Sequence, residues 1–137
     1  MNAINTYLTF DGNCREAMTF YAKCLGVEPQ IMTFADMPGE SPKELKDKVM
    51  HAKVGSGSNV VMASDADARD NVKPGNNFSI CINCESIEEI ERLYNVFSEK
   101  GTKTMPLQDT FWGAHFGMLT DQFGINWMFN FELPKKG

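Results

Sequence analysis

Apolar and polar positions alternate most cleanly near the end of the chain. Ile125, Trp127, Phe129 and Phe131 fall on one side of an extended segment, with Asn126, Met128 and Asn130 on the other. Just before it, Asp121-Gln122-Phe123-Gly124 has turn chemistry, with Gly124 free to take a positive φ. The pattern predicts a hairpin of strands 112–120 and 125–132. A face of Trp and Phe has to be covered, most simply by a helix. The opposite face of amides and a thioether suits the lining of a cleft.

The same two-faced pattern runs through the rest of the chain. Residues 3–10 predict a strand with Ile4, Leu8 and Phe10 inward and Asn5, Tyr7 and Thr9 outward. A helix starting near Asn13/Cys14 keeps Ala17, Phe20, Tyr21, Cys24 and Leu25 on one side, and Gly26 stands where a C-terminal cap belongs. A strand is expected around 28–36 and a short exposed helical turn in Pro42–Val49. Residues 49–54 and 59–64 then form a hairpin across Gly55-Ser56-Gly57-Ser58.

Residues 65–76, polar and holding Pro74 and Gly75, read as a linker. After it the order restarts: strand 77–83, then a helix opened by the capping-box pattern Ser86-Ile87-Glu88-Glu89 and ending at Lys100-Gly101. Strands near 103–109, 112–120 and 125–132 follow. The chain thus predicts an α+β fold of two tandem βαβββ modules, about 1–64 and 77–137, within a single domain 1–137. Superposing the closing hairpins pairs Met62 with Met128, and the opening strands pair Asn5 with Asn77. With a helix outside each sheet, the inner faces are expected to curve around a cleft.

Composition narrows the function classes. A net charge of −5 without a basic cluster argues against nucleic acid and anionic membrane surfaces. No apolar run approaches the ~20 residues of a membrane span, and the N-terminus lacks the pattern of a secretory signal. A cytoplasmic location is expected, and with it free thiols at Cys14, Cys24, Cys81 and Cys84. Cys81-Ile82-Asn83-Cys84 is formally a CxxC, but its two thiols, three apart late in a strand, face opposite sides. There is no GxSxG, HExxH or phosphate-binding glycine loop.

Three stretches, YLTFDGNCREAMTFYAKCLG, VMHAKV followed by VVMASD, and TFWGAHFGMLTDQFGINWMFN, make the chain resemble the PhnB-like branch of the vicinal oxygen chelate (glyoxalase/bleomycin-resistance/dioxygenase) superfamily. The resemblance covers nearly the whole chain and implies a glyoxalase-like fold and a homodimer. It also implies a divalent metal held at four symmetric strand positions, which polarises substrate oxygens. Those positions carry over to Asn5 (Thr6 if the register slips by one), Met62, Asn77 and Met128. Two amides and two thioethers supply no anionic charge to a hard or borderline ion, so no metal site and no cofactor are expected. Some members of this branch carry a demethylubiquinone methyltransferase label, but the sequence has no strand–glycine-rich loop–helix unit for a nucleoside cofactor.

The residues expected to line a ligand cleft are Asn5, Tyr7, Met62, Asn77, Trp112, Phe116, Asn126 and Met128. His51 and His115 are the candidate acid–base groups. The plainer reading of each is a strand histidine on a half-exposed face and a surface residue beside an aromatic turn. Trp112 and Phe116 could stack on a planar ligand or pack in a dimer contact. Asp121 is explained by the turn it opens. The leading expectation is a small-molecule-binding protein of unknown ligand. Its alternatives are a metal-dependent lyase, isomerase or dioxygenase whose ligands have moved to His51, His115 or nearby acids, and a ligand-free protein-interaction module.

Overall fold

The computed structural model describes residues 1–39, 43–66 and 71–135, apart from the side chain of residue 44. They form two compact units, Met1–Lys73 and Pro74–Gly137. The first runs β1 (Thr6–Phe10), α1 (Cys14–Leu25), β2 (Gln30–Thr33), β3 (Val49–Ser56) and β4 (Asn59–Asp65). The second runs β5 (Ile80–Asn83), α2 (Ile87–Phe97), β6 (Thr102–Asp109), β7 (Ala114–Thr120) and β8 (Asn126–Glu132). Each is a βαβββ unit, as expected. The sheet orders are β1-β4-β3-β2 and β5-β8-β7-β6, so in each unit the first strand lies parallel to the last.

In the first unit α1 packs on β3 and β4, and Leu8, Phe10, Met18, Tyr21, Ala52, Val54 and Ala63 close the core. Asn13 makes no side-chain cap to the helix. The buried Asp65, at the end of β4, takes that part: its carboxylate accepts from the Cys14 N–H at 3.0 Å and the Val49 N–H at 2.9 Å. One anionic side chain thereby ties helix start, β3 and β4 together, with the charge at the positive end of the helix. Gly26 ends α1 in the left-handed region, φ 71°, as its place in the sequence predicts.

In the second unit the Ser86 hydroxyl accepts from the Glu89 N–H at 3.0 Å, the expected start of α2. The other arm of the box reaches one residue further back, with the Glu89 carboxylate accepting from the Glu85 N–H. Phe97 lies between Trp127 and Phe129, its ring centroid 4.7 and 5.5 Å from theirs. The predicted Trp/Phe face of β8 is thus the core beneath α2. Asp121 opens the β7–β8 turn as expected, and it also accepts the buried Trp127 indole N–H at 2.8 Å.

Several boundaries differ. β1 starts at Thr6, leaving Ile4 exposed rather than in the core. β2 is only Gln30–Thr33, followed by a 3-10 turn at Phe34–Asp36 whose start Asp36 caps through the Thr33 N–H. The helical turn expected in Pro42–Val49 is a 3-10 segment at Lys43–Leu45, and residue 42 lies outside the described residues. β5 starts at Ile80, so Asn77 and the exposed Phe78 precede the strand. Of the linker predicted over 65–76, Asp65 belongs to β4 and residues 67–70 lie outside the described residues. After α2 the residue with positive φ is Lys100, at 58°. Gly101 is needed instead for space, since a Cβ there would stand 2.6 Å from the Thr120 carbonyl oxygen.

Candidate functional site

Each sheet has one face under its helix and one face free of it, and the free faces carry most of the predicted ligand residues. In the first unit the register runs Tyr7–Met62–Lys53–Gln30 across all four strands. His51 belongs to the same face, one step along β3, with its ring 5.9 Å from that of Tyr7. The alternation of buried Ala52 and Val54 with part-exposed His51 and Lys53 fixes this side. His51 therefore shares a surface with Met62 and Tyr7, and Tyr7 is half exposed. Val49 is buried out of phase because a bulge sets it opposite Thr33.

In the second unit two rows cross the helix-free face. One is Cys81–Met128–Met118–Met105 and the other Asn83–Asn130–Phe116–Gln108. Phe116 lies 6.0 Å from Trp112 between ring centroids, edge to face. Trp112 is not in a strand: it sits with Phe111 in the β6–β7 turn, 59% exposed. The amides are partly committed. Asn126 accepts from the Thr120 hydroxyl at 2.7 Å and donates to the Gly75 carbonyl at 3.0 Å. Asn130 donates to Asn83 at 3.1 Å. Asn126 therefore stiffens the edge of this face through both ends of its amide.

The internal correspondence of the repeats needs one correction. Tyr7 pairs with Met62, and Cys81 pairs with Met128. Tyr7 thus answers to Cys81, and Asn5 answers to Ser79 rather than to Asn77. The offset of two arises because the segments before β1 and β5 lie outside the strands and carry no register of their own. At the four symmetric positions the chain presents Asn5, Met62, Ser79 and Met128. The correction exchanges an amide for a hydroxyl, so this donor set remains neutral and does not suit Mg²⁺, Mn²⁺ or Ni²⁺.

His115, a candidate acid–base group, lies on the opposite side of its sheet from Met118 and Met128. It pairs with Phe131, on the helix-side parity of Leu119, Trp127 and Phe129, and not with Phe116, Met118 and Met128. Its Nδ1 stands 2.7 Å from the Asp109 carboxylate. Among the described residues no group of three or more His, Cys, Asp and Glu is arranged to hold a metal ion.

Cys14, Cys81 and Cys84 are held protonated. Burial, then the nearby Asp65 carboxylate, push Cys14 up to about 12, and burial with Glu89 pushes Cys84 up to about 11. Cys81 is exposed yet also raised, by partial desolvation on the sheet face. Met118 and Met105 escaped the sequence reading. Met118 becomes legible once the β7–β8 register is known, whereas Met105 follows a bulge that no alternation pattern reveals.

A family model described as 3-demethylubiquinone-9 3-methyltransferase matches residues 2–129. Protein PA1353 from Pseudomonas aeruginosa has a similar structure at a TM-score of 0.86 and 44% identity, over 96% of this chain and 98% of that one. The PhnB protein of Bacillus cereus superposes at 0.70 with 26% identity, over 93% and 98%. A glyoxalase/bleomycin resistance protein/dioxygenase family enzyme from Burkholderia phytofirmans PsJN superposes at 0.61 with 15% identity, over 96% and 98%, a likeness of fold alone.

Proposed function

Because this chain belongs to the 3-demethylubiquinone-9 3-methyltransferase family, within the PhnB-like branch of the vicinal oxygen chelate superfamily, we propose that it is a small-molecule-binding protein that works without a hard divalent metal. The observation that carries this reading is the make-up of the helix-free sheet faces. Tyr7, His51, Lys53 and Met62 adorn one, and Phe116, Met128 and a fringe of amides the other. Aromatic and thioether groups give apolar contact with little commitment to shape, and a few polar groups orient what lands there. Lys53, beside Met62 in the register, adds a cation for a ligand rich in oxygen or carrying a carboxylate. An aromatic acid or phenol matches this chemistry. The same reading includes a homodimer, for which the exposed Phe111 and Trp112 offer apolar surface.

The methyl transfer named in the family description is not part of this proposal. The β1–α1 connection, Asp11-Gly12-Asn13, has one glycine where a nucleoside cofactor calls for a glycine-rich turn opening a helix. A second reading, acid–base or metal-dependent chemistry with relocated residues, draws on the Asp109–His115 pair. The Asp109 carboxylate stands 2.7 Å from the His115 Nδ1 and orients the ring.

A thermal-shift screen of aromatic carboxylates and phenols, run beside Ni²⁺, Mn²⁺, Zn²⁺ and Fe²⁺ titrations, separates the two. Binding predicts a raised Tm with an organic ligand, about 2.7 kcal/mol of stabilisation at a hundredfold excess over Kd, lost in Tyr7→Ala and Lys53→Gln. Stoichiometric divalent metal that disappears in His51→Ala or His115→Ala would overturn it in favour of the enzyme.

A further inference from the structure

We propose that the helix-free face of the second unit is a site for a soft monovalent cation, Cu⁺ or its redox-inert substitute Ag⁺, held by Cys81, Met128 and Met118 with Met105 alongside. These four residues occupy one register row, pairing Cys81 with Met128, Met128 with Met118, and Met118 with Met105. Cross-strand partners on one face have Cβ atoms about 5 Å apart, a gap that an unbranched thioether spans easily. A thiol and two thioethers can therefore converge on one point above β8. Thiolate and thioether sulfur prefer Cu⁺ to the hard and borderline divalent ions.

The row is not something the fold requires. In the first unit the corresponding row, with the same topology, reads Tyr7–Met62–Lys53–Gln30 and contains a single sulfur. Nor is the row buried as core: Cys81 is exposed and Met105, Met118 and Met128 are part-exposed. The other three thiols, Cys14, Cys24 and Cys84, are buried. On binding, the Cys81 S–H bond breaks, its proton passes to the solvent and a sulfur–metal bond forms. The metal keeps its oxidation state, so no oxidant or reductant is consumed. Because binding releases the Cys81 proton, affinity rises with pH across the neutral range.

The experiment is titration of the full chain with Ag⁺, and with Cu⁺ in competition with bicinchoninate, in wild type, Cys81→Ser, Met118→Leu and Met128→Leu. Wild type is expected to take up one equivalent. Each variant should weaken that binding by more than about tenfold, the scale on which altered metal shells lower affinity. Leu for Met conserves volume and apolarity, so folding is retained, and an unchanged Tm without metal checks it. In wild type, the methyl resonances of Met118 and Met128 should shift in slow exchange on adding Ag⁺. Unchanged affinity in both Met→Leu variants would mean a lone thiol capturing metal, and would overturn the proposal. So would full binding in Cys81→Ser, or no binding in wild type.

Discussion

Asp121 and Trp127 face each other across the β7–β8 turn, carboxylate to indole N–H at 2.8 Å, both almost wholly buried. The same carboxylate accepts from the Phe123 and Ile125 N–H groups at 2.8 and 3.0 Å. One side chain thus folds the turn and fixes the largest core residue of the second unit. Removing it strands three donors, each costing about 1 kcal/mol or more when buried without a partner. Asp121→Ala should lower stability by about 3 kcal/mol in urea unfolding, and Asp121→Asn by less. A loss under about 1 kcal/mol for Ala would mean that water replaces the carboxylate.

Asp65 makes a comparable prediction for the first unit. Asp65→Ala removes acceptors from the Cys14 and Val49 amides. Hydrogen exchange should accelerate at the first turn of α1 and at the start of β3, while the amides of β7 and β8 keep their protection. Uniform acceleration across both units would show instead that they unfold together.

Gly117 tests the packing between α2 and its sheet. A Cβ there would lie 2.8 Å from Leu107 Cδ2 and 3.0 Å from Tyr94 Cε2. Tyr94 is pinned because its hydroxyl is within hydrogen-bond reach of the carbonyls of Met105, at 2.8 Å, and Met118, at 3.2 Å. Gly117→Ala should therefore cost about 1–3 kcal/mol, as overpacking does. Adding Tyr94→Phe, which lets the ring move, should recover part of the Tm lost.

The thiols predict a pH dependence. Cys14 and Cys84 ionise in the unfolded chain near 9.0 but in the folded chain near 12 and 11. Above pH 9 the unfolded state therefore binds fewer protons than the native one. Their stabilising contribution is complete below pH 9 and is lost as pH rises toward 11–12. Tm should fall over that range, and Cys14→Ala should flatten the fall. Iodoacetamide at pH 8 should label Cys81 first, since the other three are buried.

Much of this architecture could be read from the chain because its determinants are local. The alternation Trp127–Met128–Phe129 names the core face of β8, Ser86 with Glu89 starts α2, and Gly26 ends α1. What could not be read depends on pairing between distant strands. Asn77 looked like the counterpart of Asn5 until the Cys81–Met128 pairing moved that role to Ser79. His115 sits beside Phe116 in sequence, but a one-residue difference in a strand is a change of face. Asp65 read as the first residue of a linker, and only the folded chain brings it to the Cys14 amide. The side chains of the helix-free faces were legible as types on a face, whereas their rows were not.

The position of β8 has a consequence for how the second unit comes into being. Within its unit it comes last in chain order, yet it lies between β5 and β7 rather than at an edge. While the chain is still emerging, β5 has no neighbour, and Trp127 and Phe129 are absent from beneath α2. A premature stop just before Asn126 would not trim a margin but remove the keystone, leaving β5 apart from the β6–β7 hairpin. The first unit meets the same demand at β4, fulfilled while the second is still being made. Translation should thus yield one finished half followed by a half that remains unassembled almost to its end, the interval in which exposed strand edges are most prone to aggregate.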